Sequence, residues 1–174
     1  MEHSKPKVVI TGITGFIGSQ VCKYYLEDGS FRVRGTVRDK NNTTKIAPIK
    51  KALGSLFDQL ELVNADLMDA DSIMQAVAGC DYIVHVASPN PLENPKHEDE
   101  LIIPATEGTR AILRAAHHHK VKRVVITSSC LAIFSRLPAN IKPVYDESDW
   151  SDVEASIAYT KSKILAERAA WNFV

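Results

Sequence analysis

Five short β-rich apolar runs, KVVIT (7–11), RVRGTV (32–37), LELVN (60–64), DYIVHVA (81–87) and KRVVIT (122–127), alternate with longer stretches of helical pattern. The helical stretches fall at about 16–28, 42–55, 70–78 and 98–118, and another starts near 156. Strands joined by crossovers of that length pair in parallel, because an antiparallel return needs only a short turn. The alternation predicts an α/β chain with helices covering a parallel sheet. Asp69 or Asp71 is placed to cap the third helix and Gly79 to end it, while Pro104 is expected to kink or divide the fourth. The longest loop is expected from Cys130 to Ala155.

Composition agrees with one folded domain. The 174 residues are 45% apolar and 24% charged, which excludes a disordered chain. A chain of this size buries roughly 70% of its unfolded surface, so its core needs no disulfide or metal. Lys+Arg and Asp+Glu both number 21, which removes the general electrostatic case for nucleic acid or an anionic membrane and leaves a small molecule as the expected partner. No apolar run approaches the ~18 residues of a membrane span. The opening MEHSKPK lacks the apolar segment of an export signal, and Cys22, Cys80 and Cys130 lie far apart with no C-x-x-C pair. A cytoplasmic protein without zinc is the expectation. The final SKILAERAAWNFV still reads as helix where the sequence stops, so the sheet is expected to be cut short before a sixth strand and a substrate-binding half.

Thr11-Gly12-Ile13-Thr14-Gly15-Phe16-Ile17-Gly18 follows the first strand and opens the first helix. Gly12 suits a tight turn, Gly15 close approach of a pyrophosphate to the backbone, and Gly18 close packing of helix on sheet. The free N–H groups of the helix start, at Phe16 and Ile17, are placed to hold an anion. The spacing is G-x-x-G-x-x-G, and an ordinary strand-to-helix turn is the plain alternative.

About 20 residues further on, where an acidic residue would bind the ribose hydroxyl of NAD, the chain reads Val37-Arg38-Asp39-Lys40. Arg38, with Lys45 nearby, could pair with a 2′-phosphate, which points to NADP(H); Asp39 facing the ribose would instead select NAD. On the last helix Tyr159 and Lys163 stand four apart, hence on one face. An ammonium that close favours a phenolate and suits Tyr159 to pass a proton to or from a substrate oxygen. Thr127-Ser128-Ser129 ends the fifth strand, at the edge where open α/β sheets place ligands, and a serine there could hydrogen-bond a carbonyl oxygen. The sequence is not G-x-S-x-G and no His or Asp stands in a recognisable relation to these serines as base and orienter, which argues against a hydrolase nucleophile.

Together these residues resemble the extended short-chain dehydrogenase/reductases, in the branch of dihydroflavonol, cinnamoyl-CoA and yeast-type aldehyde/ketone reductases. The resemblance spans nearly the whole chain, through TGITGFIGS, GTVRD, NADLMDADS, GCDYIVHVASP, IIPATEGT, KRVVITSS, PVYDESDWSD and AYTKSK in the family's order. It implies a Rossmann-like doubly wound sheet. It also implies that Gly12, Gly15, Phe16, Ile17 and Gly18 cradle the pyrophosphate, that Arg38 and Lys45 take the 2′-phosphate, and that Asp66 and Leu67 lie by the adenine. Val86, Ala87 and Thr127 would line the nicotinamide side, and Ser129, Tyr159 and Lys163 would be the catalytic trio, the last two also touching the cofactor. Ser129 is preferred to Ser128 because the family uses the second serine of the pair.

Two departures shape the substrate expectation. Cinnamoyl-CoA reductases carry Asn-Trp-Tyr-Cys-Tyr where this chain has Ile157-Ala158-Tyr159-Thr160-Lys161, and dihydroflavonol reductases commonly place Asn where Phe134 stands. A less specific small aldehyde or ketone is therefore expected. The alternatives are an NAD-dependent sugar-nucleotide epimerase or dehydratase, and a non-catalytic dinucleotide-binding module. His117, His118 and His119 read as cations at a helix C-terminus rather than metal ligands, His85 as a hydrogen-bonded core residue, and Trp171 and Phe173 as packing residues that are left exposed if the following half is absent.

Overall fold

A computed structural model describes residues 5–90, 93, 95–135, 137 and 141–174. The chain divides into two compact units, Met1–Ala87 with Ala111–Thr127, and Ser88–Arg110 with Ser128–Val174.

The first unit holds the sheet. Strands β1 (Lys7–Thr11), β2 (Arg32–Val37), β3 (Leu60–Asn64), β4 (Tyr82–His85) and β5 (Arg123–Ile126) lie in the order β3-β2-β1-β4-β5. Every neighbouring pair is parallel, with Val9 opposite both Arg34 and Ile83. The alternation of side chains along β1 sorts the core into two layers. Val8 and Ile10 pack with Cys22 and Leu26 of α1 (Phe16–Asp28) and with Ile49 and Leu53 of α2 (Thr43–Leu53). Val9 packs on the other face with Ile73 and Val77 of α3 (Ala70–Val77) and with Ala111, Ile112 and Ala115 of α4 (Asp99–His118). Of the two candidate caps for α3, Asp69 performs the task, accepting from the N–H groups of Asp71 and Ser72 at 3.1 Å each. Gly79 follows the helix at φ +71, the left-handed geometry expected of a terminating glycine.

One cation is buried in this unit. Arg34 of β2 donates to the carbonyls of Ala76 and Ala78 at 2.7 and 2.8 Å and to Glu61 at 2.8 Å, closing the C-terminal end of α3. Arg34, with Lys7 at 2.8 Å, holds the Glu61 carboxyl below the usual carboxylate range. His85 is a core histidine as expected: its Nδ1 lies 2.9 Å from Thr11 Oγ1.

The second unit contains the first turns of α4, α5 (Leu131–Phe134) and α6 (Ala158–Trp171), with α5 and α6 packed together. The segment between them is stitched back onto α5 by Ser151. Its Oγ donates to the Leu131 carbonyl and accepts from the Ser135 N–H, both at 2.7 Å, and its own N–H reaches the Ala132 carbonyl at 2.8 Å. Lys142 Nζ grips both oxygens of the buried Asp149 at 2.6 and 2.8 Å. At the other end, Lys161 of α6 meets Glu98, just before α4, at 2.7 Å.

Three expectations need correction. Residues 130–155 are not one loop, because Leu131–Phe134 form a helix whose groups Ser151 satisfies. Pro104 does not divide α4: Leu101, Ala105, Ile112 and Ala115 keep one buried face on both sides of it, and that packing outweighs one lost backbone bond. The strand expected over 81–87 ends at His85, because the N–H groups of Val86 and Ala87 turn to Thr11 Oγ1, 3.0 Å from each.

Candidate functional site

The candidate dinucleotide residues gather at the carboxyl edge of the sheet, because each follows the end of a parallel strand. The glycine loop follows β1, Arg38 follows β2, Asp66 and Leu67 follow β3, Val86 and Ala87 follow β4, and Thr127 follows β5. Lys45 sits in the first turn of α2, exposed, on a helix capped by Asn42. The loop is pinned from below: the Ile13 N–H bonds the Thr36 carbonyl and the Gly12 N–H the Thr36 hydroxyl, both at 3.4 Å.

Within the loop the glycines answer to different constraints. Gly12 adopts φ +70, and a Cβ there would come within 2.9 Å of the Ala87 Cα. At Gly18 a Cβ would stand 2.2 Å from the Gly12 carbonyl oxygen, so only glycine fits. Gly15 is exposed, has φ −85, and its Cβ would meet nothing nearer than 3.4 Å. Nothing among the described residues requires glycine at 15. Gly15 caps α1 without any side-chain hydrogen bond, and the first N–H groups of a helix have no carbonyl within it. Phe16 and Ile17, the next residues, are 89% and 50% exposed. An open cradle of backbone donors at a helix N-terminus fits the diphosphate of a dinucleotide.

Arg38 and Asp39 differ in what they touch in the turn after β2. One oxygen of the Asp39 carboxylate accepts the Asn41 N–H at 2.9 Å, an Asx turn. Arg38 is exposed and bonded to nothing among the described residues. Beyond β3, Asp66 is likewise part of a turn, accepting the Met68 N–H at 2.8 Å and donating its own N–H to Ser72 Oγ at 3.0 Å.

The expected trio lies in the second unit. Tyr159 and Lys163 occupy successive turns of α6, with Lys163 Nζ 6.0 Å from the Tyr159 ring centre. Lys163 is only 7% exposed, and burial pushes its ammonium below the ordinary lysine range. The two serines are used differently. Ser128 Oγ donates to Glu167 of α6. Ser129 Oγ accepts the Leu131 N–H at 3.2 Å, which leaves its own proton free to be donated.

Sequence reasoning assigned no role to Thr11 or Glu167. Thr11 Oγ1 receives two N–H groups, so its proton points to His85 Nδ1, and the threonine fixes the turn at Val86 and Ala87. Its place at the head of the glycine motif was the available signal. Among the described residues no group of three or more His, Cys, Asp or Glu is arranged to hold a metal, and no helix is long and apolar enough to cross a membrane.

Residues 8–174 match the model of the NAD dependent epimerase/dehydratase family. The chain belongs to that family. Tetraketide alpha-pyrone reductase 1 of Arabidopsis thaliana is 42% identical over 180 residues, covering 99% of this chain and 54% of the relative. The bifunctional dihydroflavonol 4-reductase/flavanone 4-reductase of Malus domestica is 39% identical over 181 residues, covering 99% and 51%. Among solved structures, vestitone reductase from alfalfa superposes with a TM-score of 0.78 at 35% identity, over 97% of this chain and 52% of that one. A yeast methylglyoxal/isovaleraldehyde reductase in complex with NADPH gives 0.79 at 28% identity, over 96% and 52%. The chain thus spans about half the length of the curated relatives it matches. These relatives are reductases of the extended short-chain type.

Proposed function

We propose that residues 1–174 form the NADP(H)-binding part of a reductase that delivers a hydride to the carbonyl of a small aldehyde or ketone, in the cytoplasm, with no nucleic acid or membrane as partner. The observation that carries the cofactor choice is the turn after β2, where one oxygen of Asp39 accepts the Asn41 N–H and the exposed Arg38 is bonded to nothing described. A guanidinium so placed recognises a 2′-phosphate, with Lys45 as a second cation. The names of the relatives support a reductase, and so does the NADPH of the yeast structure.

The bound nicotinamide supplies the hydride for the carbonyl carbon. The chain's own part is to manage the oxygen. Tyr159 donates its phenolic proton to that oxygen as charge builds there, while the Ser129 hydroxyl donates a hydrogen bond to the same oxygen and orients it. Lys163, held beside Tyr159, keeps a cation close to the phenolate that remains. In the first unit the α1 N-terminus and its glycine loop hold the diphosphate, and Asp66, Leu67, Val86, Ala87 and Thr127 line the remainder of the cofactor.

The test is a calorimetric titration of the chain with NADPH and NADH at fixed ionic strength, repeated for Arg38→Ala. Hydrogen bonds to charged groups contribute about 1.5–3 kcal/mol, so Arg38→Ala should weaken NADPH by about 10- to 100-fold and leave NADH nearly unchanged. Equal or tighter NADH binding by the unaltered chain overturns the NADP(H) reading and favours the epimerase or dehydratase alternative. Full turnover in Tyr159→Phe overturns the proton-donor assignment.

A further inference from the structure

Glu167 has no place in the chemistry above, yet it ties the residue before Ser129 to the helix that carries Tyr159 and Lys163. Tyr159, Lys163, Glu167 and Trp171 follow one another at intervals of four along α6, each a turn beyond the last. The Glu167 carboxylate takes the hydroxyl proton of Ser128 on one oxygen and the indole N–H of Trp171, at 3.3 Å, on the other. Ser128 directly precedes Ser129, and Ser129 leads into α5, with the Ala132 N–H on the Ser129 carbonyl at 2.9 Å. We propose that Glu167 is a positioning residue: by holding Ser128 it fixes the backbone of Ser129 against the helix that presents Tyr159 and Lys163.

This rests on the reading of Ser129, Tyr159 and Lys163 as the reacting set. Ser129 follows a strand and precedes a helix of only four residues, so its local structure does little to orient it toward α6. Ser151 secures the far side of that short helix. Glu167 secures the near side, and does so from the element that carries the other two groups. A hydroxyl that must meet a carbonyl oxygen shared with Tyr159 tolerates little displacement, since a shift of about 1 Å can lower a rate by about 100-fold. Glu167 thus acts through Ser128 and touches no reacting atom.

The test compares Glu167→Ala, Glu167→Gln and Ser128→Ala with the unaltered full chain by amide hydrogen exchange of residues 128–134 and by carbonyl turnover with NADPH. Expected are faster exchange in that segment and a kcat lower by about 10- to 100-fold for Glu167→Ala and Ser128→Ala, with NADPH affinity within about twofold. Glu167→Gln retains an acceptor oxygen and should restore both. The double variant Glu167→Ala/Ser128→Ala should lose no more than either single one, because both remove the same bond. Unchanged exchange at 128–134 in Glu167→Ala and Ser128→Ala overturns the proposal whatever the turnover. So does failure of Gln to rescue, or additive losses. If Tyr159→Phe keeps full activity, the catalytic reading falls instead, and the exchange data still decide whether Glu167 anchors Ser129.

Discussion

Gly15 and Gly18 lie three residues apart in one loop, and substituting each by alanine separates folding from binding. At Gly18 the new Cβ would stand 2.2 Å from a backbone oxygen that belongs to the strand-to-helix turn and cannot swing aside. Overpacking of that kind costs about 3 kcal/mol or more, so Gly18→Ala should lower the denaturant midpoint sharply or prevent folding. At Gly15 the added methyl meets only an ordinary contact at 3.4 Å, and the residue already has a negative φ. Gly15→Ala should change stability by about 1 kcal/mol at most, the scale of an altered N-cap. Its effect should fall on the ligand: in the proposed cradle the methyl would stand in the path of a diphosphate, and calorimetry should show at least about a tenfold loss of NADPH affinity. Gly15→Ala that binds NADPH normally would remove the case for that cradle.

Among the elements, α6 has chemistry in its burial. Lys163 is pushed below the ordinary lysine range by desolvation. Its folded value lies under its unfolded one, so between the two this group binds more protons in the unfolded chain, and its own contribution to stability rises as pH climbs through that window. Lys163→Met keeps the apolar stem and removes the titration. Equilibrium unfolding measured from neutral pH up to the ordinary lysine value should therefore give a more positive slope in the unaltered chain than in the variant, the raised thiols of Cys22 and Cys80 contributing the opposite sign equally to both, with the variant at least as stable at neutral pH. Identical slopes would mean that Lys163 titrates alike in both states. The elements themselves were largely legible in the sequence. The ends of α1 and of β1, β2 and β3 were readable because apolar period and turn residues coincide there. Less legible were features settled by groups far apart in sequence: the end of β4 depends on Thr11, and α5 depends on Ser151, twenty residues beyond Leu131. Of the candidate site, glycine loop, Arg38 and Tyr159 with Lys163 were visible as motifs. The bond from the Asn41 N–H to Asp39 and the link from Ser128 to Glu167 were not, since a side-chain partner leaves no periodic trace.

For the whole molecule, the three free thiols report on opening and on ligand together. Cys22 is fully buried in the core beside the glycine loop, and burial pushes its thiol up to about 11. Cys80 is 5% exposed behind α3 and is raised for the same reason, whereas Cys130 is exposed next to Ser129. A thiol reagent attacks thiolate, so Cys130 should label from the native state, while Cys22 and Cys80 should label only when the sheet unit opens. Anything that binds the folded form and not the open one suppresses opening by the factor 1 + [L]/Kd. With NADPH at about 100 times its Kd, labelling of Cys22 and Cys80 followed by mass spectrometry should slow by about 100-fold. NADH at the same concentration should slow it less, in proportion to its weaker binding. Equal protection by both would place the affinity in groups the two cofactors share and take it away from Arg38. Cys22 labelling as fast as Cys130 would mean that the core around the glycine loop does not stay closed, and a loop of fixed backbone donors depends on that closure.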